Sequence, residues 1–469
     1  MEIKITKKDV IWSYIANFFK IGSGFLVLPL VLHMLSTEEI AMNYIMLTIG
    51  SMIALLDFGF APQLSRNLTY VFSGVDSICK EGINSSKSNE INYHLLKSVL
   101  QAAKRIYRNI SFLALLILLT AGTCYIYYFT KGFSNIEHSL EIWLFYSVSV
   151  YFNIYFLYFD AFLNGRGYVT ESKQSAMASR IVYLVLCYTL LLLDFGLIGL
   201  VISNIVSPFV GRYLSYHFFY DKDLKRHLKE EKVEKEEERE IIKTLWYNAK
   251  RMGANLIGAY AILQFSLFIS GLYLSSSEIA SYGMMINVCS ILSSMGYTFF
   301  SASNIKMASC RAQGEMDKAC RIFSLSLIIF FVVFVTGGLA ILLIMPSVLD
   351  LIQSNAQLPP RNIVLIYLIV LLLEGNHSMS ATAITTGNKV PFVKASLLTG
   401  ASICLLDFFV LTFTNLGILG LVLAQGVGQL AYNNWRWPLW VCNDFNIRYI
   451  ILLKQGIGEL VNIIKGKLI

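Results

Sequence analysis

Apolar runs of about 20 residues recur along the whole chain, and each is long enough for a helix to cross a hydrocarbon core roughly 30 Å thick. Inside lipid every backbone N–H and C=O must find a partner within the protein, so such runs fold as helices. Twelve are read from the sequence, at 10–34, 38–63, 105–129, 139–163, 176–194, 197–219, 245–273, 277–304, 321–345, 361–385, 390–413 and 416–440. Composition supports this. Hydrophobic residues make up 56% and charged residues 14%, against about 25% charged in soluble domains. The expected class is an all-α polytopic membrane protein with about twelve transmembrane helices. The basic start, MEIKITKKDV, precedes an apolar run too long for a signal peptide and is read as the approach to the first helix.

Charge placement sets the expected orientation. With the N-terminus inside, all but four of the 38 Lys and Arg residues fall on cytoplasmic segments. Lys131 and Arg361 lie outside, and Lys20 and Arg212 lie within helices. This asymmetry follows the positive-inside rule and places both termini in the cytoplasm. The net charge of +8 is therefore a topology signal, and no nucleic-acid partner is expected. Eight cysteines and six histidines show no metal-ligand spacing, so neither a metal site nor a cofactor is expected.

The two halves resemble each other. LSTEEIA (35–41) and LSSSEIA (274–280) stand at equivalent helix junctions, each with a Ser-x-x-Glu capping box. FGLIGLVISN (195–204) and LGILGLVLAQ (416–425) precede the sixth and twelfth helices. Six helices repeated in the same orientation imply two pseudo-symmetric lobes around a central cavity. The expected organisation is an N-lobe over 1–220, a charged cytoplasmic linker over 221–244, a C-lobe over 245–440 and a cytoplasmic or interfacial tail over 441–469. The linker, YDKDLKRHLKEEKVEKEEEREIIK, mixes acids and bases and reads as a solvated connection.

A charge at mid-membrane costs roughly 2.5–3.5 kcal/mol on insertion scales, so each one requires a reason. Ser13, Asn17, Lys20 and Gly24 share one face of the first helix, as Asn248, Arg251, Asn255 and Gly258 do in the seventh. With Lys250, these residues suit a polar cationic surface for an anionic headgroup, although a snorkelling Lys20 gives the same pattern. Glu374, beside Asn376 and His377, falls near the midplane of the tenth helix and is a candidate proton or sodium site, or else a structural partner to a base. Asp57 and Asp160 are further ion-coupling candidates that could equally pair with Arg66, Arg166 or Arg180. Asp194 and Asp407 read as structural. Pro29, Pro62 and Pro208 are expected inside helices, where each permits a bend.

No GxxxxGK[ST] sequence is present, which excludes a P-loop ATPase in the chain. Asp57-Phe58-Gly59 and Asp194-Phe195-Gly196 mimic a kinase triplet but fall in apolar runs, where the match reads as coincidence. The expected external loops are short, so no catalytic residues and no enzyme activity are expected.

LLDFGFAPQLSRNLTYVFSG (55–74), AFLNGRGYVTES (161–172), LWYNAKRMG (245–253) and EIASYGMM (278–285) resemble stretches of the bacterial Wzx-type O-unit flippases, a family of the multidrug/oligosaccharidyl-lipid/polysaccharide exporter superfamily. The resemblance spans nearly the whole chain. It implies a bacterial inner-membrane protein that carries undecaprenyl-pyrophosphate-linked oligosaccharide, the O-antigen or a related repeat unit, from the inner to the outer leaflet. It also implies a proton or sodium counter-ion, contact with membrane lipids, and other polysaccharide-assembly proteins as partners. Cationic cavity residues and an intramembrane acid are expected of that family, with Lys20, Arg251 and Glu374 the candidates here. Rival readings are a cation-coupled multidrug or toxin antiporter of the same fold, a major-facilitator transporter, and a membrane glycan polymerase or acyltransferase.

Overall fold

The computed structural model describes residues 7–78, 91–387 and 391–465. Among them there is helix and turn but no strand. The protein is a multi-pass membrane protein. Nine helices are long and apolar enough to cross a membrane, by length and composition among the described residues.

The chain divides into two compact units, Met1–Leu256 and Ile257–Ile469. The first holds α1 (Lys7–Met34), α2 (Thr37–Ala54), α3 (Phe60–Phe72), α4 (Tyr93–Ile117), α5 (Thr123–Phe129), α6 (Ser139–Tyr155), α7 (Tyr158–Arg166), α8 (Val169–Leu192), α9 (Gly196–Phe219) and α10 (Lys222–Glu230). The boundary falls inside α11 (Lys235–Leu263). The second holds α12 (Phe265–Ser270), α13 (Ser276–Ala312), α14 (Met316–Leu343), α15 (Met345–Leu351), α16 (Arg361–Thr385), α17 (Val393–Phe413), α18 (Gly417–Leu430), α19 (Asn433–Asp444) and α20 (Tyr449–Ile464). Helical segments make up most of the described part of each of the twelve apolar runs, several of which are interrupted by turns.

Both repeated motifs have a physical role, and in each unit one motif sits against the other. Ser36 and Glu39 form a full capping box at the start of α2. The same Glu39 Oε1 accepts the backbone N–H of Leu197 at 2.9 Å, beside Gly196, whose φ is +55°. A side chain at Gly196 would be strained in φ and would meet that carboxylate. In the second unit Ser275 and Glu278 repeat the box, with Ser275 N–H donating to Glu278 Oε2 at 3.0 Å. Glu278 Oε1 again stands beside a left-handed glycine, Gly417 at φ +51°.

Several expectations change here. The second run is not one helix, because Leu55–Asp57 tightens to a 3-10 turn and Phe58 and Gly59 adopt left-handed conformations. Asp194 is likewise left-handed, between α8 and α9. Both Asp-Phe-Gly triplets thus stand at turns between helices. Pro62 stands in the first turn of α3, where its missing N–H has no helical acceptor to lose, so it causes no mid-helix bend. Pro29 and Pro208 do lie inside α1 and α9.

The charged run after α9 is largely exposed and also makes specific contacts within the first unit. Asp221 caps α10 through the Leu224 N–H at 2.8 Å and pairs with Arg166. Lys97 Nζ donates to the Glu231 carbonyl, Arg105 pairs with Glu238 at 3.1 Å, and Tyr93 stacks on His227. In the second unit α20 packs closely on α14. Gly456 permits this, since a Cβ there would lie 2.3 Å from the Ser324 carbonyl oxygen.

Candidate functional site

The first unit forms a half-open cavity of about 330 Å³ among α6, α7, α8 and α9. Its wall carries Arg180, Arg212, Asp160, Asn153 and Asn204, and the hydroxyls of Ser175, Ser179, Ser207 and Ser215. The local sequence explains the shape. On α9 a small residue recurs every fourth position at Ser203, Ser207, Gly211 and Ser215, which lets α8 approach closely. A Cβ at Gly211 would lie 3.0 Å from both the Ser175 carbonyl and the Ser179 side chain. Ser179 donates to the Ser207 carbonyl at 2.8 Å and Ser149 to the Asn204 carbonyl at 3.0 Å. The hydroxyls of Ser175 and Ser215 are buried without a partner among the described residues.

Electrostatically the wall holds two guanidiniums and one carboxylate. Arg212 Nη1 donates to Asp160 Oδ1 at 3.2 Å. Arg180 lies 5.7 Å from the centre of the Tyr183 ring and has no carboxylate partner among the described residues. The cavity is net basic and rich in neutral hydrogen-bonding groups. Neither arginine was singled out by sequence as a site residue. Arg212 was visible as a charge inside a helix, and the four-residue period on α9 was the available signal for the surface facing it.

The side chains of Ser13, Asn17, Lys20, Asn248, Arg251 and Asn255 lie outside the described residues. Lys250 is exposed, its Nζ 5.3 Å from the Tyr247 ring centre. Asp57 is held by the Tyr107 hydroxyl at 2.6 Å, not by an arginine, and Asp160 takes Arg212 rather than Arg166 or Arg180.

Glu374 heads a buried polar cluster inside the second unit. Gln429 and Gln425 on α18 donate to its Oε2 at 3.1 and 3.4 Å. One turn away, His377 Nδ1–H donates to Asn434 Oδ1 at 2.8 Å, and the Tyr449 hydroxyl donates to Asn376 Oδ1 at 3.0 Å. Asn433 bridges to Thr399 and accepts the Trp437 indole N–H. Glu374 has no basic partner among the described residues, so its hydrogen bonds come from neutral amides. Outside the spans, Asp221 is the clearest titrating group. Partial burial opposes its ionisation, but the Leu224 N–H and Arg166 outweigh it and hold the carboxyl below its ordinary value.

No family model and no curated protein sequence matches the chain. Solved structures do. The inward-facing conformation of a multidrug resistance MATE family transporter of the MOP superfamily aligns at TM-score 0.65 and 15% identity, over 92% of this chain and 94% of that one. The lipid II flippase MurJ, in its inward closed conformation, aligns at TM-score 0.60 and 15% identity, over 96% and 91%. A MOP superfamily transporter from Pyrococcus furiosus, described as having a binding pocket of reversed polarity, aligns at TM-score 0.53 and 13% identity, over 94% and 99%. The chain has the fold of the MOP superfamily transporters.

Proposed function

We propose that this protein is an ion-coupled flippase. It moves an undecaprenyl-pyrophosphate-linked oligosaccharide, the O-antigen or a related repeat unit, from the inner to the outer leaflet of the bacterial inner membrane by alternating access. The observation that carries the reading is the cavity of the first unit. Guanidinium forks suit phosphate oxygens, and the surrounding amides and hydroxyls replace water around sugar hydroxyls that hydrocarbon would leave bare. A cavity for cationic drugs would reverse this charge balance. Lys20 and Arg251, with Ser13, Asn17, Asn248, Lys250 and Asn255, supply further polar and cationic contacts in this scheme. Glu374 is its coupling carboxylate, since a buried acid held only by amides can exchange a proton or sodium ion without breaking a salt bridge. Each charge moved across 100 mV releases roughly 2.3 kcal/mol.

The test is a deletion strain scored for lipid-linked oligosaccharide in the inner leaflet. Accumulation, relieved by the wild-type gene and not by Glu374→Gln, is expected. No accumulation, together with new sensitivity to cationic drugs, would move the reading to an efflux antiporter of the same fold.

A further inference from the structure

The second unit contains another buried acid that the proposed cycle does not use. Asp407 lies on α17 and is 0% exposed. Its Oδ2 accepts the Ser266 hydroxyl at 2.8 Å, while its Oδ1 has no partner among the described residues. Ser266 belongs to α12, just beyond the point where the helical path of α11 breaks at Gln264, whose φ and ψ are −126° and −22°. The Tyr282 hydroxyl of α13, buried to 1% exposure, faces the same pair.

The groups around Asp407 can be named element by element. Cys404 lies one turn back on α17 itself. α11 packs on α17 through Gly258 and Ala261 and offers Tyr260, near Cys404; α12 offers Ser266 and no charged residue, α13 offers Tyr282, and α18 has no ionisable side chain. Tyr273, in the turn after α12, meets Thr412 and the Phe408 ring. α19 reaches the other end of α17, through Asn433 and Thr399. No ion pair to Asp407 is found among the described residues.

An ionised carboxylate here would be a bare charge with one oxygen unsatisfied, which costs far more than leaving one neutral hydroxyl unpaired. One carboxylate and two hydroxyls also provide too few oxygens for calcium or magnesium, which take six or more. We propose that Asp407 is a second proton-binding site in the C-terminal unit, separate from Glu374, with its proton carried on Oδ1. Binding and release are a simple proton transfer between Oδ1 and water, with no change of oxidation state. The inference does not depend on which substrate the protein carries.

The experiment is infrared spectroscopy of the purified full-length protein in lipid nanodiscs, in the Glu374→Gln background so that the other buried acid is silent. At pH 7 the carbonyl stretch of a protonated carboxylic acid is expected. Adding Asp407→Asn should abolish the band. Adding Ser266→Ala, which retains the acid and removes its donor, should shift the band and covers the case in which Asp407→Asn does not fold. Transfer to D2O should move the band, because a coupling site must exchange its proton. Absence of the band in Glu374→Gln protein, or a band indifferent to both substitutions, overturns the proposal. A band that never shifts in D2O marks a sealed structural acid and also overturns it.

Discussion

Removing the charge at Arg180 gives a prediction with a sign. A phosphate bound in a cavity of about 330 Å³ lies within roughly 6 Å of a guanidinium on the wall. At an effective dielectric near 20, one unit charge then contributes about 3 kcal/mol. The cavity is partly open and Arg180 is only half-buried, so screening reduces this to about 1–1.5 kcal/mol, a factor of ~10 in affinity. Arg180→Ala should weaken binding of a polyprenyl-pyrophosphate analogue by about that factor, while Arg180→Lys keeps most of it. Asp160→Asn removes the one carboxylate on the wall, frees Arg212 and should tighten binding by a similar or smaller factor. The assay is calorimetric titration into nanodiscs at two salt concentrations, with differences shrinking at high salt. Weaker binding by Asp160→Asn than by wild type, or an unchanged Arg180→Ala, would refute the electrostatic reading of the cavity.

Further outcomes are expected of the fold. Gly456→Leu should destabilise the protein by at least about 1–3 kcal/mol in thermal unfolding, because its Cβ would strike the Ser324 backbone and lift α20 from α14. Glu39→Ala should cost about 1–3 kcal/mol in the same assay, since one carboxylate caps α2 and also holds the α9 entry. For Asp221, whose folded-state carboxyl is held below its ordinary value, the contribution is full above the unfolded pKa near 4. It is lost as pH falls through the folded pKa. The melting-temperature gap between wild type and Asp221→Asn should therefore close in acid, and a gap that widens there would contradict the assignment.

Much of the fold was legible because membrane insertion writes itself into local composition. Continuous apolar runs set the helices, and the two Ser-x-x-Glu boxes marked real helix starts. What sequence could not show is that Glu39 reaches 158 residues along the chain to Leu197, so that two separately noticed motifs form one joint. The site was less legible. Glu374 was visible as an acid in an apolar run, but its partners Gln425 and Gln429 lie on another helix and carry no charge to attract notice. In sequence Arg180 reads as a cytoplasmic base and an optional partner for Asp57 or Asp160, and Arg212 as a charge inside a helix with no role. Their meeting depends on how α8 and α9 pack. Asp57 and Asp160 were read with arginine partners open to both, yet a tyrosine took one and Arg212 the other.

The sequence by itself determined that this chain spans a membrane many times as helices, since twelve apolar runs have no other way to satisfy their backbones in lipid. It also carried the charge asymmetry from which an orientation is expected. Tertiary structure alone decided which polar groups meet. It gathered two arginines, an aspartate and a row of hydroxyls around one cavity, and it left Asp407 with a serine and an orphaned oxygen. The physical reason is that a helix fixes neighbours three and four residues apart, whereas partners across helices follow from where small residues let backbones approach.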